Sequence, residues 1–291
     1  MKIAFFTAGS VGAGHRVRGL AIARALTRAG FRGSYRTFGP ARPFEAALSG
    51  LYGEERTEIV EIQNDPALRD PKLAASSELA ERLRAFDPDL LIVDLFWGPL
   101  RWVLPHLACE AWLLVRLCPP IWLQGRSDLR FAPEQYRRRF AIEPIEHAHL
   151  NESLEPIVIA NPEDCRPESE VRARFGVAEG EPLAFVVHAG ERGEIAELER
   201  AAGPRAIALD LHQSDAPFPA AEWLSAADRV TSAAGYNSFW EAQSLGYSER
   251  TTFLSFPRSI DDQARRIAEF RGIRPRTNGA DSLAAKILAG G

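Results

Sequence analysis

Along most of the chain, short apolar runs alternate with stretches in which apolar residues recur with the period of a helix. The first half has apolar runs at residues 3–8, 35–38, 59–62, 90–96 and 112–117, and helical periodicity at 14–29 and 77–86. Strands that alternate with helices in this way are typical of βα units on a parallel sheet. The pattern predicts an α/β fold, with a last short strand of this half at residues 157–160.

The second half repeats the pattern after a punctuated segment, Asn161-Pro162-Glu163-Asp164 followed by Pro167. Its predicted strands cover 183–190, 206–211, 229–235 and 251–257. The predicted helices start near 193 and 236 and cover 220–226, 260–270 and 281–288. Punctuated segments like the one at 161–167 join domains. We therefore predict two Rossmann-like domains, 1–160 and 161–291. Because open parallel sheets bind ligands at the carboxyl ends of their strands, we expect the active site in a cleft that the two domains face.

Composition and charge exclude several classes of protein. The 291 residues are 46% hydrophobic and 25% charged, as in an ordinary globular protein. Lys and Arg number 35 against 39 Asp and Glu, which provides no broad positive field for nucleic acid. No run of about 20 apolar residues predicts a transmembrane segment. The three cysteines have neither metal-ligand nor disulfide-framework spacing, and we expect a cytoplasmic protein.

The first candidate motif, GSVGAGHRVR at residues 9–18, follows the first predicted strand and opens a helix. Gly12 and Gly14 allow backbone amides to approach a ligand at a helix N-terminus, where negative charge is favoured. A dinucleotide fingerprint requires a third glycine where Val17 stands, so NAD binding is disfavoured. His15 lies in the first helical turn and is our candidate general base. The alternative is a histidine that only helps to cap the helix.

Two further glycine turns follow strands in the second half. In VVHAGERGE, His188, Gly190, Glu191 and Gly193 can form an anion-binding loop. A plain βα turn explains that loop equally well. In SAAGYNSFWEA, the amides of Gly235, Tyr236, Asn237 and Ser238 can face phosphate, while Glu241 can accept both hydroxyls of a ribose. The structural alternative makes Asn237 or Ser238 an N-cap and Glu241 a solvated residue.

A fourth motif, FPRSIDDQAR, contains Asp262 and Gln263 at the predicted carboxyl end of a strand. There the two side chains can hold sugar hydroxyls. The structural alternative is a variant capping box formed by Ser259 and Asp262.

These four motifs, in this order, resemble those of GT-B glycosyltransferases, particularly the branch of the lipid-linked N-acetylglucosaminyl transferase of peptidoglycan synthesis and related UDP-sugar enzymes. GAGHRVRGLAIARAL resembles the branch's glycine-histidine motif, SAAGYNSFWEAQSLG its glycine-asparagine-glutamate motif, and FPRSIDDQARR its proline and Asp-Gln motif. The resemblance implies a GT-B fold. It also implies an enzyme that transfers a hexosyl or N-acetylhexosaminyl group from a nucleotide sugar, expected to be a UDP-sugar, to an unidentified acceptor.

The resemblance implies a division of roles between the two domains. His15 would deprotonate the acceptor, and the anomeric configuration would invert. Independently of the resemblance, the strand-end position of Asp94 makes this carboxylate the candidate base if His15 is not the base. The donor would be bound by Gly12, Gly14, His188, Gly190, Glu191, Gly193, Gly235, Tyr236, Asn237, Ser238, Glu241, Asp262 and Gln263. Backbone amides and helix dipoles would stabilise the departing diphosphate, so no metal and no cofactor are expected.

Two alternative functions remain open from the sequence. A UDP-sugar hydrolase of similar size has the same kind of glycine-histidine motif, and a non-catalytic nucleotide-sugar-binding subunit would keep the donor site without using His15. The tryptophans at 97, 102, 112 and 122 could form an acceptor platform or, with Arg101 and Arg126, a peripheral membrane contact. Their structural alternative is packing in the core.

Overall fold

The structure, a computed structural model, describes residues 1–9, 12–41, 48, 55–126, 129–213 and 216–290. It forms two compact units. Unit 1 comprises Met1–Ser10, Ile22–Leu154 and Asp281–Gly291, and unit 2 comprises Val11–Ala21 and Glu155–Ala280. This division differs from the predicted border after residue 160. Segment 11–21 is grouped with the second half of the chain, and the C-terminal segment with the first half.

Unit 1 is built on a seven-stranded parallel sheet. A separate antiparallel pair consists of β6 and β7. The strands are β1 (Lys2–Phe6), β2 (Ser34–Gly39), β3 (Glu55–Ile59), β4 (Leu90–Asp94), β5 (Glu110–Val115), β6 (Gly125–Arg126), β7 (Leu129–Arg130), β8 (Arg138–Ala141) and β9 (Glu152–Ser153). The order in the sheet is β3-β2-β1-β4-β5-β8-β9. Every residue of β4 is buried, as expected for a central strand of a parallel sheet covered on both faces.

Two helices flank strands of this sheet along the chain, α1 (Gly14–Arg28) and α2 (Glu78–Phe86). Helix α1 begins within unit 2 and continues into unit 1. Helix α2 begins after Ser77, whose side chain accepts a hydrogen bond from the amide of Ala80, and it ends at Asp87 in the left-handed conformation. Its apolar residues Leu79, Leu83 and Phe86 are buried, as the sequence periodicity predicted.

Unit 2 has a four-stranded parallel sheet in the order β11-β10-β12-β13. Its strands are β10 (Ala184–His188), β11 (Ile207–Asp210), β12 (Arg229–Ala233) and β13 (Thr251–Leu254). The helices are α3 (Glu168–Phe175), α4 (Ile195–Ala202), α5 (Ala221–Leu224), α6 (Tyr236–Ser244), α7 (Gln263–Phe270) and α8 (Gly279–Gly290), of which α8 continues into unit 1. The core of unit 2 packs apolar residues of strands and helices together: Val171, Leu183, Phe185, Val187, Leu209, Leu224, Ala227, Val230, Ala242 and Tyr247.

The strand order reverses once in each sheet. In unit 1 the chain proceeds outward from β1 through β2 and β3 and then returns to pair β4 with β1. In unit 2 it proceeds from β10 to β11 and then returns to pair β12 with β10. Connections on opposite faces separate at such a switch point and leave a crevice at the carboxyl ends of the strands. The fold therefore places candidate ligand sites after β1 and β4, and after β10 and β12.

Two predicted strands need correction, and one strand was missed. Residues 157–160 are buried but form no strand, because their backbone is bound by side chains. The amide of Ile157 donates to the Tyr236 hydroxyl, and Val158 exchanges hydrogen bonds with the Asn278 side chain. The strand expected at 59–62 is β3 at Glu55–Ile59, a polar strand that pairs only with β2. Strand β8 lies in a polar segment where none was predicted.

Candidate functional site

Segment 12–21 lies against the end of β10 in unit 2. The amide of Ala13 donates a 3.0 Å hydrogen bond to the carbonyl oxygen of Ala189. Gly12 has a φ of +64°, and a Cβ at this position would lie 2.8 Å from the same oxygen. Both the left-handed backbone and the close approach require glycine here. Residues 12–18 of the first motif therefore belong to unit 2, whereas Ser10 and Val11 lie outside the described residues.

Asn237 joins the first turns of two helices. Its Nδ2 donates to the carbonyl oxygen of Gly14, the first residue of α1, at 3.0 Å. Its Oδ1 accepts from Nη1 of Arg18 at 3.3 Å. Asn237 is the second residue of α6, whose N-cap is Gly235, so the predicted cap at Asn237 or Ser238 is not formed. Two helix N-termini, each with positive partial charge, thus lie side by side in unit 2.

Arg18 contacts one ring nitrogen of His15. Nη2 of Arg18 lies 2.7 Å from Nδ1 of His15, and both side chains are buried. A guanidinium group only donates hydrogen bonds, so Nδ1 must accept. The ring is then neutral and carries its hydrogen on Nε2. In this arrangement Nε2 can donate a hydrogen bond, but it has no lone pair with which to accept a proton.

Tyr236 lies beneath two guanidinium groups. Arg18 is stacked 4.7 Å above the ring centroid, and Arg266 lies at 6.0 Å. The buried Arg266 also donates to the carbonyl oxygen of Ala234 at 3.0 Å and pairs with Asp261 at 2.7 Å. Sequence reasoning placed Tyr236 in the donor site but did not select Arg18 or Arg266. The spacing of His15 and Arg18, three residues apart in a helix, is the signal that could have identified Arg18.

Glu241 is buried in α6, where a solvated residue was the structural alternative. Among the described residues, none donates a hydrogen bond to its carboxylate. Burial raises the pKa of this carboxyl group from 4.5 to about 7. Burial, and then the negative charge of Glu241, also raise the pKa of Tyr247 well above its ordinary value. A buried carboxylate without a donor can accept hydrogen bonds from ligand hydroxyls.

The loop after β10 is held by charged side chains. The amide of Glu191 donates to Oε2 of Glu194 at 3.3 Å, and Glu194 also pairs with Arg258. A Cβ on Gly190 would lie 2.5 Å from the same carboxylate oxygen, so a larger residue would displace Glu194. Glu191 and Gly193 are exposed. Glu194 therefore fixes the shape of this loop.

His188 is buried at the end of β10, and its neighbours differ from those of a phosphate ligand. Its Nδ1 lies 3.1 Å from Oδ1 of Asp210, and its Nε2 lies 2.9 Å from the carbonyl oxygen of Glu191. His212 completes a group of three residues whose candidate ligand atoms lie within 4.8 Å of one another. Within the described part of the chain, this is the cluster whose residue types and spacing could hold a metal ion.

Asp262 and Gln263 hold the start of α7. Oδ1 of Asp262 accepts from the amide of Arg265 at 3.0 Å, so Asp262 is itself the N-cap, in place of the predicted capping box with Ser259. Gln263 is buried, and its Oε1 accepts from the amide of Phe256 at 2.9 Å. Both side chains therefore have structural partners, and their predicted contact with sugar hydroxyls would use their remaining polar atoms.

In unit 1, the carboxyl end of β4 combines one buried acid with aromatic side chains. Asp94 is fully buried, and Leu95 follows it with a φ of +66°. Nε1 of Trp122 donates to the carbonyl oxygen of Leu95 at 3.1 Å, and Nε1 of Trp97 donates to that of Trp122 at 2.9 Å. Phe96 contacts the Trp122 ring edge-on, with centroids 5.7 Å apart. The backbone turn after Asp94 is therefore fixed by indole hydrogen bonds.

The tryptophans do not form one surface. Trp97 and Trp112 are buried, as in the structural alternative, whereas Trp102 and Trp122 are half-buried. Arg101 stacks on Trp102 at 4.3 Å, and the side chain of Arg126 lies outside the description. No helix in the described ranges is long and apolar enough to cross a membrane.

Comparison with known proteins gives the fold its name. No protein-family model and no curated protein sequence matches the chain. The glycosyltransferase SnogD from Streptomyces nogalater has a similar structure, with a TM-score of 0.58 and 14% identity over 100% of both chains. Phytolacca americana UGT2, complexed with UDP-2fluoro-glucose and pterostilbene, matches with a TM-score of 0.55 and 14% identity over 98% of this chain and 88% of its own.

The glycosyltransferase VinC, in complex with dTDP, is similar at a TM-score of 0.52 and 13% identity, over 99% of this chain and 90% of its own. The chain therefore has the GT-B fold, which confirms the predicted fold class. These likenesses give no support to the peptidoglycan branch in particular.

Proposed function

We propose that this chain is a glycosyltransferase that moves a sugar from a nucleotide diphosphate sugar to an acceptor hydroxyl. The observation that carries the proposal is the pair of helix N-termini that Asn237 joins in unit 2. Two positive helix ends repel each other, and an anion bound beside them removes that repulsion. The buried guanidinium of Arg18 adds positive charge at the same place. A diphosphate is the anion that the GT-B likeness suggests, and UDP and dTDP appear in two similar structures.

Glu241 supports the nucleoside part of this proposal. Its buried carboxylate lacks a donor among the described residues, although Asn237 on the preceding turn of α6 is fully engaged. Both ribose hydroxyls could donate to the two carboxylate oxygens, and such charge-assisted bonds are strong in a buried site. We therefore keep Glu241 as the proposed ribose ligand, with the amides of Gly235 and Ser238 directed at phosphate.

His15 has a different role in this proposal from the one that the sequence suggested. The hydrogen bond from Arg18 leaves Nε2 as a donor, which suits a group that binds an oxygen of the departing diphosphate. It does not suit a general base, because Nε2 would need a lone pair. We assign the role of base to Asp94, the second candidate, which would take the proton of the acceptor hydroxyl. The acceptor oxygen would then attack the anomeric carbon opposite the leaving group and invert its configuration.

No metal takes part in this chemistry as proposed, because positive helix ends, amides and Arg18 can balance the charge of the diphosphate. The three cysteines are not paired with one another, which agrees with a reducing compartment such as the cytoplasm. The acceptor is not specified beyond a hydroxyl compound.

The test begins with the donor. Isothermal titration against UDP, dTDP and their sugar conjugates should identify one nucleotide that binds, and Arg18→Met should weaken it about tenfold or more by removing a charged donor. Arg265→Met is the matched control, because Arg265 is an exposed arginine of unit 2 that pairs only locally with Glu269. The absence of binding to every nucleotide sugar would contradict the proposal. Sugar released without an acceptor, as fast as in the presence of any acceptor, would instead identify a hydrolase.

A further inference from the structure

We propose that His188, Asp210 and His212 form a binding site for one divalent metal ion of the zinc type. This site is separate from the proposed diphosphate contacts, which require no metal. It lies at the carboxyl ends of β10 and β11, on the side of β10 that faces away from β12.

Strand register brings the three residues together. His188 ends β10 and Asp210 ends β11, and the two residues are direct partners in the parallel ladder. Directly paired residues on adjacent strands present their side chains on the same face of a sheet. His212 follows Asp210 by two positions, and its amide donates to Oδ1 of Asp210 at 3.1 Å. The turn after β11 thus folds over the carboxylate and carries the second imidazole with it.

The ring nitrogens are arranged as in metal-binding histidines. Nε2 of His188 lies 2.9 Å from the carbonyl oxygen of Glu191, and Nε2 of His212 lies 3.0 Å from that of Gly190. Carbonyl oxygens only accept, so both Nε2 atoms carry hydrogen. Metal-ligating histidines almost always donate their second ring N–H to a carbonyl or carboxylate group, which fixes the other nitrogen as the ligand.

The contact between Nδ1 of His188 and Asp210 needs either a proton or a metal ion between the two atoms. With hydrogen on Nε2, a neutral His188 ring has only a lone pair on Nδ1, and that lone pair faces Oδ1 of Asp210 at 3.1 Å. Two acceptors at this distance repel each other unless a proton or a metal ion lies between them. Ligand atoms at roughly 2.0–2.1 Å from a tetrahedral zinc ion are about 3.3 Å apart, which is close to the observed separation.

The ligand types favour zinc over a hard cation. Two imidazoles and one carboxylate are preferred by Zn²⁺, whereas Mg²⁺ and Ca²⁺ prefer all-oxygen sites. The His212 ligand atom lies within 4.8 Å of the other two ligand atoms, so a bound metal ion would draw this side chain closer to them. The fourth position would hold water. Bound metal would join the ends of β10 and β11 and fix the loop that starts at Ala189, whose carbonyls hold both rings.

The experiment is a titration of chelator-treated protein with ZnCl₂, followed by calorimetry, and with CoCl₂, followed by the visible absorption of tetrahedral cobalt. We expect one equivalent of metal ion to bind with high affinity. Asp210→Asn and His212→Asn should each weaken this binding about 100-fold or more, because each removes a ligand. The control is the double variant His147→Asn/His149→Asn. It removes a second close pair of histidines, whose rings are 5.2 Å apart, and should leave the affinity for the bound metal ion unchanged.

Thermal unfolding gives a second readout that also detects a misfolded variant. Zinc at about 100 times its Kd should raise the Tm of the wild-type protein by roughly 5–10 °C and leave that of His212→Asn nearly unchanged. The proposal is overturned if the wild-type protein binds no zinc or cobalt saturably, or if both cluster variants bind as tightly as the control. It is also overturned if ¹⁵N NMR of the zinc-treated protein shows His188 protonated on both nitrogens, since a proton would then bridge the pair.

Discussion

The carboxyl ends of the two parallel sheets carry different side chains, although both sheets reverse their strand order in the same way. In unit 2 the residues after β10 and β12 take part in a polar network that includes His15, Arg18, Asn237 and Arg266. In unit 1 the end of β4 offers one acid, Asp94, followed by apolar and aromatic residues that hold the turn.

The proposed function gives the two sets of strand-end residues different roles. In unit 2, the paired helix N-termini and the buried Arg18 would stabilise the charge of the proposed nucleotide. In unit 1 the proposed base is the buried carboxylate of Asp94, which precedes aromatic side chains. Because the backbone frame is similar, the residues at the strand ends determine the chemistry of each site.

The largest expected effect tests the reactive role of unit 1. Asp94→Asn should lower kcat by about 10²- to 10⁴-fold through loss of the general base, while the Kd of the donor, which unit 2 binds, stays near the wild-type value. Steady-state kinetics and calorimetry measure the two quantities. Asp89→Asn is the control, because Asp89 is an exposed acid just before β4, at the opposite end of that strand. An unchanged kcat in folded Asp94→Asn protein would show that Asp94 of unit 1 is not the general base.

The next prediction tests whether His15 acts as a hydrogen-bond donor or as a general base. His15→Ala should lower kcat by about 10²- to 10³-fold, as the loss of one donor to a developing oxyanion does. His15→Gln should remain within about tenfold of wild type, because its Oε1 can accept from Arg18 while its Nε2 donates. His106→Gln serves as the control at an exposed histidine. A collapse of kcat in both His15 variants would restore the sequence-based role of general base.

A third prediction concerns the stability of unit 2 as a function of pH. Burial raises the folded-state pKa of Glu241 to about 7 from 4.5, so the folded protein holds this proton more tightly than the unfolded chain. The stabilising contribution is complete below about pH 4.5 and is lost as the pH rises to about 7, by about 3 kcal/mol in total. Glu241→Gln should lack this loss. Urea unfolding of both proteins at pH 5 and pH 8 measures it, and parallel pH profiles would show that Glu241 is not buried in this way.

A smaller effect tests Glu241 as a ligand. Glu241→Ala should weaken donor binding about tenfold or more, and the affinity of the wild-type protein should rise between pH 6 and pH 8 as the carboxyl group ionises. Calorimetry with the donor across this range measures both effects. Glu269→Ala is the matched control at an exposed glutamate of α7. Equal donor affinity in the two variants would exclude Glu241 from the ribose site.

The smallest expected effect is that of chelation. With saturating donor, EDTA should leave kcat unchanged, because the diphosphate is stabilised by protein groups. Any effect of the metal site proposed at His188 should be confined to the KM of the donor, through the loop after β10. A strict requirement for Mg²⁺ or Mn²⁺ in kcat would contradict the proposed chemistry of unit 2.

Local patterns predicted most of the fold. Continuous apolar runs located β1, β4, β5 and β10, because a strand buried on both faces needs apolar residues at successive positions. The same reasoning failed for residues 157–160. That segment is equally apolar, but its backbone hydrogen bonds go to the side chains of Tyr236 and Asn278. Burial can be read from composition, whereas the partner of a backbone amide cannot.

Sequence spacing alone identified Gly12, His15, Asn237 and Glu241 as candidates, because glycine turns and first helical turns are local features. Only the tertiary structure decided their partners. Asn237 meets Gly14 and Arg18 across 223 and 219 residues of chain, and His188 meets Asp210 through the register of two strands. The fold also places Arg18 beside His15, buries Glu241 and brings His188 and His212 close to Asp210. The tautomer of a ring and the pKa of an acid depend on what lies within a few ångströms, and that neighbourhood is set by the fold.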